Sequence, residues 1–296
     1  MKAQSFETFA ALLRAGSGLV IGLDKQYLLE SRLGPIMKQH GLRDLDMLAE
    51  RLRIAPVGDR LGIEKQIIEA MTTNETFFFR DDRPFQHFGQ QALSRLHRTR
   101  APGARLRIWS AAASSGQEAY SLAMILAENR NVLGGREVEI LGTDISREQL
   151  DRAQEGLYTQ FEVQRGLPMQ HLVKYFRKDG PQWRVHDTLR AMTIFREWNL
   201  LADPRPLGQF DVIFCRNVLI YFDQATKTRV LDALAGQLAP DGLLYLGGSE
   251  TVLGLTDKFG AVAEERGVYE LVRTTPRPVP AIPPLREVRV GSLAGG

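Results

Sequence analysis

Polar side chains stand at the ends of three apolar stretches of this sequence, where strand-to-helix connections are predicted. Glu118 follows the stretch around Ile108, and Asp144 closes a second one. Arg216 and Asn217 follow a third. In a parallel sheet these positions share the edge outside the carboxyl ends of the strands, where ligands bind. Asp144 lies 26 residues past Glu118, near the roughly 20-residue offset at which a carboxylate meets a ribose diol.

The connection before Glu118 consists of small residues, SAAASSG at 110–116. Small side chains let the backbone approach a ligand, and the helix start offers unpaired N–H groups. Only Gly116 is a glycine, however. Taken alone, the segment fits an ordinary strand-to-helix turn at least as well as a cofactor site.

A second unusual segment is TTNETFFFRDDRPF at 72–85. Its three consecutive phenylalanines predict a plug that joins one domain to another. Arg80 either pairs with Asp81 or Asp82 or reaches an anionic ligand, since a guanidinium fork matches the two oxygens of a carboxylate.

The elements that must position these residues alternate between strand and helix after residue 105. Apolar stretches end at Asp144, at Phe214 and, after a predicted turn at Pro240-Asp241-Gly242, at Leu246. This alternation predicts an α/β fold with a doubly wound parallel sheet. Residues 156–192 make the chain longer here than a simple crossover between two strands needs. The pattern YFRKDGPQWRV predicts a hairpin within this small β-containing insertion. A second hairpin at 260–273, turning at Arg266-Gly267, is expected to close the sheet edge.

The domain organisation follows from the change of pattern along the chain. Four amphipathic stripes predict an all-helical domain at 1–88. A helix and a polar linker occupy 89–104, and the α/β domain spans 105–273. The Pro-rich segment 274–296 is predicted to be a disordered tail.

Composition excludes several classes of protein. The 296 residues include 38 basic and 35 acidic ones, a balance that argues against nucleic-acid binding. The single cysteine, Cys215, lies in an apolar run and predicts a buried structural thiol rather than a nucleophile. No stretch approaches the ~18 apolar residues of a membrane span, no secretory signal is visible, and no cluster has metal-ligand spacing. We expect a cytoplasmic protein without a metal.

With these segments laid out, the chain resembles the chemotaxis receptor methyltransferases of the CheR family. The resemblance covers about residues 5–272 and is carried by TTNETFFFR (72–80), IWSAAASSGQEAYSLAM (108–124), LGTDIS (141–146), EWNLL (197–201), FDVIFCRNVLIYFD (210–223) and LAPDGLLYLGGSE (238–250). It implies a Rossmann-like class I methyltransferase sheet with a small inserted β-subdomain, preceded by an all-α domain. It also implies methylation of receptor glutamates with S-adenosyl-L-methionine (AdoMet), which yields S-adenosyl-L-homocysteine.

The resemblance also implies roles for individual residues. Arg80 and Tyr221 match the pair that the family places beside the reactive methyl group. Asp144 would accept from the ribose hydroxyls, Glu118 would face the amino group of the methionine part, and Asn199 with Leu200 would hold the adenine. The positions that match cofactor-contacting residues are Asn74, Thr76, Arg80, Glu118, Asp144, Asn199, Leu200, Arg216 and Asn217.

The expected partner is the glutamate-rich helical bundle of a chemoreceptor's cytoplasmic part. The candidate contacts are the basic residues of the N-terminal domain, which equally fit a solvated surface: Arg32, Lys38, Arg43, Arg51 and Arg53. In some family members the β insertion binds a pentapeptide at the receptor's C-terminus. The hairpin loop is shorter here, so we expect no such tether binding. We also expect a monomer without direct membrane insertion.

Three alternatives remain open. One is an AdoMet methyltransferase that acts on another protein or a small molecule. Another is a non-catalytic module that binds S-adenosylhomocysteine, although the presence of Arg80 and Tyr221 argues against it. An NAD-dependent dehydrogenase is disfavoured because no GxGxxG follows a strand.

Overall fold

The computed structural model describes residues 1–101 and 103–272. Its first part is helical, with a 3-10 turn at Leu23–Lys25 and the helices α1 (Ala3–Ser17), α2 (Gln26–Arg32), α3 (Gly34–Gln39), α4 (Leu45–Ile54) and α5 (Val57–Met71). Gly18, at φ 78°, ends α1 and donates its N–H to Arg14, because a left-handed residue there closes the last turn. Asp44 caps α4 by accepting from the Met47 N–H. The apolar stripes of these helices meet in one core that includes Phe9, Leu29 and Leu48.

An irregular segment, residues 72–82, leaves α5, turns at residues 78–82 and is called the strap below. It leads into α6 (Arg83–His87), a π-helical turn (Phe88–Ala92) and α7 (Leu93–Thr99). Phe78, Phe85 and Phe88 are buried in the core of the α/β part. The strap therefore belongs to the packing of the sheet domain, although it follows directly from the N-terminal helices.

A seven-stranded sheet forms the centre of the molecule. Its strands are β1 (Leu106–Ala111), β2 (Val138–Asp144), β6 (Thr193–Glu197), β7 (Phe210–Cys215), β8 (Leu238–Leu246), β9 (Phe259–Ala261) and β10 (Val268–Leu271). The spatial order is β6-β2-β1-β7-β8-β10-β9. The first five are parallel, whereas β10 runs antiparallel to both β8 and β9. The predicted doubly wound sheet and its closing hairpin are confirmed.

Helices cover both faces of the sheet. They are α8 (Gln117–Glu128), α9 (Arg130–Leu133), α10 (Arg147–Glu155) and α14 (Gln224–Gln237), with 3-10 turns at Arg205–Leu207 and Leu219–Tyr221. Ile108 and Val212 belong to one core, and their neighbours Trp109 and Ile213 belong to the other. Successive strand residues thus enter opposite cores, as expected of parallel strands that are buried on both sides.

The turn predicted at Pro240-Asp241-Gly242 is wrong. These residues lie inside β8, where the register against β7 shifts between Phe210 and Val212. The bulge accommodates a proline that has no N–H to donate. A Cβ on Gly242 would lie 2.7 Å from the Asp211 carbonyl oxygen, so the close strand approach explains the glycine.

The insertion forms a separate three-stranded sheet of order β3-β5-β4. Its elements are β3 (Leu157–Tyr158), α11 (Gln160–Gln164), α12 (Met169–Tyr175), β4 (Phe176–Asp179), β5 (Gln182–Val185) and α13 (Asp187–Arg190). The antiparallel pairing of β4 with β5 is the predicted hairpin. The tail predicted at 274–296 lies outside the described residues. Among the described residues, none of the helices has the length and apolar character that a bilayer span requires.

Candidate active site

A cavity lies where β1, β2, β6 and β7 end. The strap forms part of its wall, and Ser17 and Leu19 at the end of α1 form another part. The structure brings every predicted cofactor or catalytic residue to this wall: Asn74, Thr76, Arg80, Glu118, Asp144, Asn199, Leu200, Arg216, Asn217 and Tyr221.

The β1–α8 connection has a backbone shape that glycines usually supply. Ala112 and Ser114 adopt φ values of 63° and 50°, and Gly116 adopts 91°. Left-handed conformations at non-glycine residues cost energy and cluster at functional sites. The scarcity of glycine in this segment therefore does not prevent the tight loop that a ligand site needs.

The carboxylate of Asp144 is held by this loop and by the connection that follows β2. The backbone N–H of Ser114 donates to Oδ2 at 2.8 Å, and that of Ser146 donates to Oδ1 at 2.9 Å. Burial raises the pKa of Asp144, and these two N–H donors oppose the shift. Each oxygen keeps a second lone pair, so a hydroxyl that reaches Asp144 still finds an acceptor.

Glu118 is already paired within the chain. Ser110 donates its hydroxyl to Oε1 at 2.7 Å, and Arg216 donates Nη1 to Oε2 at 3.1 Å. Burial raises the pKa of Glu118, whereas the Arg216 guanidinium acts to lower it. The carboxylate lines the cavity, but its charge is largely balanced by Arg216.

Arg216 also fastens the strap. Its Nη2 donates to the Arg80 carbonyl and to Asp81 Oδ2, both at 2.7 Å, and its side chain is 1% exposed. Asp81 therefore pairs with Arg216, which follows β7, and not with Arg80, as one of the sequence alternatives had it. Arg80 instead donates to the Glu75 carbonyl at 2.9 Å and lies over the Phe77 ring.

Asn199 uses its side chain to join two parts of the chain. Nδ2 donates to the Gly16 carbonyl at 2.6 Å, and Oδ1 accepts from the Leu201 N–H at 2.9 Å. The amide therefore links the end of α1 to the segment after β6. The Asn199 carbonyl also accepts from the Ala202 N–H at 2.9 Å, so both the side chain and the carbonyl of Asn199 are engaged within the chain.

The segment after β7 turns sharply before it reaches Tyr221. Asn217 adopts φ 58°, and Tyr221 ends the 3-10 turn Leu219–Tyr221. The carbonyl of Tyr221 accepts from the Val20 N–H at 3.0 Å. Glu250, to which the sequence analysis gives no role, accepts hydrogen bonds from the backbone of this segment. The only local sequence signal for Glu250 is that an acidic residue follows shortly after β8 and the glycine pair Gly247-Gly248.

The insertion supports the strap through the phenylalanines that the sequence predicts to be a plug, but the sequence does not indicate which segments they contact. Phe78 makes edge contacts with the rings of Tyr158 and Phe176. Phe79 stacks on His171, and Arg165 pairs with Glu75. The phenylalanines thus fix the strap to the inserted subdomain and the sheet core. No periodicity reveals such contacts, because they connect segments about 90 residues apart.

The predicted receptor-binding residues differ in their surroundings. Arg32 donates Nη1 to the carbonyls of Met71 and Thr72 at 2.8 and 3.0 Å, so it holds the start of the strap. The other four are exposed: Lys38, Arg43, Arg51 and Arg53. Arg53 pairs with Glu50 on its own helix.

Cys215 is free and buried, and burial raises its thiol pKa well above the ordinary value. The prediction of a buried structural thiol is confirmed. Within residues 1–101 and 103–272, no group of three or more His, Cys, Asp or Glu side chains is arranged to hold a metal ion.

Comparison with known proteins gives consistent matches over nearly the whole chain. Residues 74–268 match the family described as "CheR methyltransferase, SAM binding domain", and residues 4–56 match "CheR methyltransferase, all-alpha domain". The chain is 40% identical to Chemotaxis protein methyltransferase Cher2 of Pseudomonas putida, over 89% of this chain and 96% of that protein. It is 42% identical to Chemotaxis protein methyltransferase 1 of Pseudomonas aeruginosa, with the same coverage.

A third relative, Chemotaxis protein methyltransferase 1 of Vibrio cholerae, is 39% identical over 90% of this chain and 97% of its own length. Two family domains in the expected order, and relatives that align almost end to end, agree with the cavity at the strand ends. The chain therefore belongs to the CheR family of methyltransferases and carries that family's AdoMet-binding domain.

Proposed function

We propose that this protein transfers a methyl group from AdoMet to glutamate side chains on the cytoplasmic part of chemoreceptors. The observation that carries the proposal is the convergence on one cavity of residues from the strap, α8 and four strand ends. Ligand sites of this kind combine apolar walls with a few convergent polar groups, and this cavity has both, since Phe77, Val218 and Phe222 line it together with the polar residues named above.

The donor groups of the cavity fit AdoMet. Asp144 provides a buried acceptor-only group for the ribose hydroxyls. Glu118, in the first turn of α8, suits the amino group, while Arg80 suits the carboxylate of the methionine part or of the acceptor. Asn74, Thr76 and Asn217 complete the polar wall, and the backbones of Asn199 and Leu200 would flank the adenine.

The proposed reaction makes modest demands on the protein. AdoMet, when bound, supplies an electrophilic methyl group. The acceptor glutamate is ionised at neutral pH, since its ordinary pKa is about 4.3, and the site needs no general base. Its task is alignment. We assign Arg80 and Tyr221 to the place where the acceptor carboxylate meets the methyl group.

The receptor contact is proposed for the exposed basic residues of the N-terminal helices. Lys38, Arg43, Arg51 and Arg53 would face the glutamate-rich bundle, because opposite charges speed and orient encounter. Arg32 donates to Met71 at the end of α5 and to Thr72 and Thr73 of the strap, so we expect it to act mainly on the cavity. We also propose a cytoplasmic monomer that does not require the receptor's C-terminal pentapeptide.

The test is label transfer. The protein is incubated with methyl-labelled AdoMet and soluble receptor cytoplasmic fragments, and the labelled bond is then exposed to base. Base-labile label that is lost when receptor glutamates are replaced supports the proposal. Label on another protein or a small molecule, or binding of S-adenosylhomocysteine without turnover, would refute the assigned substrate.

A matched pair of variants locates the chemistry. Arg80→Lys and Tyr221→Phe are expected to reduce transfer by about tenfold or more, since they disturb alignment. Arg130→Lys, an arginine on α9 outside the cavity wall, serves as the control and should leave transfer unchanged. Equal rates for all three variants would count against the assigned roles.

A further inference from the structure

One buried carboxylate organises the turn that follows β7. Glu250 is 8% exposed. Its Oε2 accepts from the N–H groups of Gly247 and Asn217 at 2.7 and 2.8 Å. Its Oε1 accepts from those of Val218 and Ile220 at 2.9 and 3.3 Å. Four backbone donors from two separate segments therefore converge on a single side chain.

Only an acceptor-only group suits this arrangement. A carboxylate has four lone-pair sites on two oxygens, whereas a glutamine would present an NH₂ to at least one pair of N–H donors. The approach is also close, because a Cβ on Gly247 would lie 2.7 Å from Glu250 Oε2 and 2.9 Å from the Asn217 nitrogen. Gly247 and Glu250 thus act together: the glycine leaves room for the carboxylate that binds the backbone N–H groups.

The organised turn carries two residues of the candidate active site. Asn217 is held at φ 58°, a conformation that asparagine tolerates but that still needs support. Tyr221 ends the 3-10 turn whose Ile220 N–H is bound by Glu250. Glu250 is absent from the cavity wall, while Asn217 and Tyr221 belong to it.

We propose that Glu250 is a positioning residue for methyl transfer, which fixes the backbone of residues 217–220 so that Asn217 and Tyr221 face the cavity correctly. This inference rests on the proposed function. Loss of the carboxylate would leave backbone donors unpaired and allow the turn to relax. A displacement of the order of 1 Å at such residues costs about 10²-fold in rate.

The test compares Glu250→Gln with Asp211→Asn in the full-length protein. Asp211 is also 8% exposed and accepts from the Arg107 N–H and from Arg100, but it lies at the opposite end of β7. We expect Glu250→Gln to lower kcat/KM about 10- to 100-fold at temperatures where both variants are folded. Asp211→Asn should lower stability and leave kcat/KM within twofold. Equal kcat/KM for the two variants would overturn the inference.

A double variant distinguishes positioning from general damage. If Glu250 acts through the Tyr221 hydroxyl, Glu250→Gln combined with Tyr221→Phe should lose little more activity than the worse single variant. Losses that multiply, or an unaffected Tyr221→Phe, would overturn the Tyr221 part of the inference.

Failure of the proposed function has a different signature. If the wild-type protein methylates no receptor, the Glu250 inference is judged from calorimetric affinity for S-adenosylhomocysteine. The affinity should fall about tenfold in Glu250→Gln through Asn217 and stay constant in Asp211→Asn. Equal affinities would overturn the inference, and a wild-type protein that binds neither cofactor compound would overturn both proposals.

Discussion

Gly166 offers a direct way to move the strap from a position that does not itself line the cavity. It lies between α11 and α12 at φ +82°. A Cβ there would overlap the Phe78 carbonyl oxygen and approach its carbonyl carbon to 3.2 Å and the Phe77 ring to 3.1 Å. Because the obstacle is backbone, Gly166→Ala must push the strap aside by about 1 Å, and Arg80 lies two residues further along.

The expected magnitude has two parts. A left-handed alanine costs about 1–2 kcal/mol, which lowers the free energy of unfolding. The displaced strap misaligns Arg80, and a misplacement of about 1 Å costs roughly 10²-fold in rate, or about 2.7 kcal/mol of transition-state stabilisation. We therefore expect kcat/KM to fall about 100-fold.

Gly180→Ala is the matched control. Gly180 belongs to the same subdomain and has φ +58°, yet nothing lies within 4 Å of a Cβ built on it. It should incur the same backbone strain while leaving the strap in place. Both variants are assayed for label transfer to receptor fragments and for unfolding in urea. If Gly166→Ala and Gly180→Ala retain the same kcat/KM, the insertion does not position the strap, and the reasoning fails.

Three further predictions concern other parts of the site and core. Arg216→Met should lower the free energy of unfolding by about 3–5 kcal/mol, because it leaves the buried Glu118 carboxylate without its cationic partner. Adding Glu118→Gln should recover part of that loss. Additive losses of the two substitutions in urea unfolding would contradict the pairing. His87 is buried with its Nδ1 2.8 Å from the Tyr245 hydroxyl, and burial lowers its pKa below 6.5. Below about pH 6.5 the imidazole of the unfolded chain binds a proton that the buried imidazole of the folded protein does not, so the free energy of unfolding should fall as pH drops below about 6.5. His87→Asn should reduce this pH dependence. Parallel curves of unfolding free energy against pH for the two proteins would exclude His87 as its cause. Calorimetric titration of a receptor C-terminal pentapeptide should give no saturable heat, since the β4–β5 turn is short, whereas clear saturation would refute tether independence.

The sheet and the composition of the site could be predicted because both follow from local signals. Apolar stretches that end in Asp144 or in Arg216 and Asn217 locate strand ends, and the strand ends of a parallel sheet share one edge. Arg80 is a candidate from its residue type alone, and the family resemblance then adds the residues outside that edge pattern: Asn74, Thr76, Asn199, Leu200 and Tyr221. All ten residues line one cavity.

The partners of these residues could not be predicted, because long-range pairing is decided by tertiary packing. Nothing near Arg216 in sequence indicates that it binds Asp81 at 2.7 Å. The same holds for Arg32, which looks like a surface cation but donates to Met71 and Thr72. A carboxylate that accepts from backbone N–H groups, such as Glu250, leaves no periodic trace at all. The misjudged turn at 240–242 had a local cause, because proline and glycine signal a bulge and a turn with the same residues.

The charge pairing in the cavity bears on the proposed chemistry. A sulfonium and a carboxylate both lose their charge during methyl transfer, so strong binding of either charge in the ground state would raise the barrier. Glu118 and Arg216 neutralise each other across 3.1 Å, and the second nitrogen of Arg216 is occupied by Asp81. The cavity wall near β7 therefore presents a ligand with a shaped surface and dipoles more than with unpaired charges. This arrangement supports the proposal that Arg80 orients a carboxylate, and Arg216 fixes the backbone of Arg80 by donating to its carbonyl at 2.7 Å.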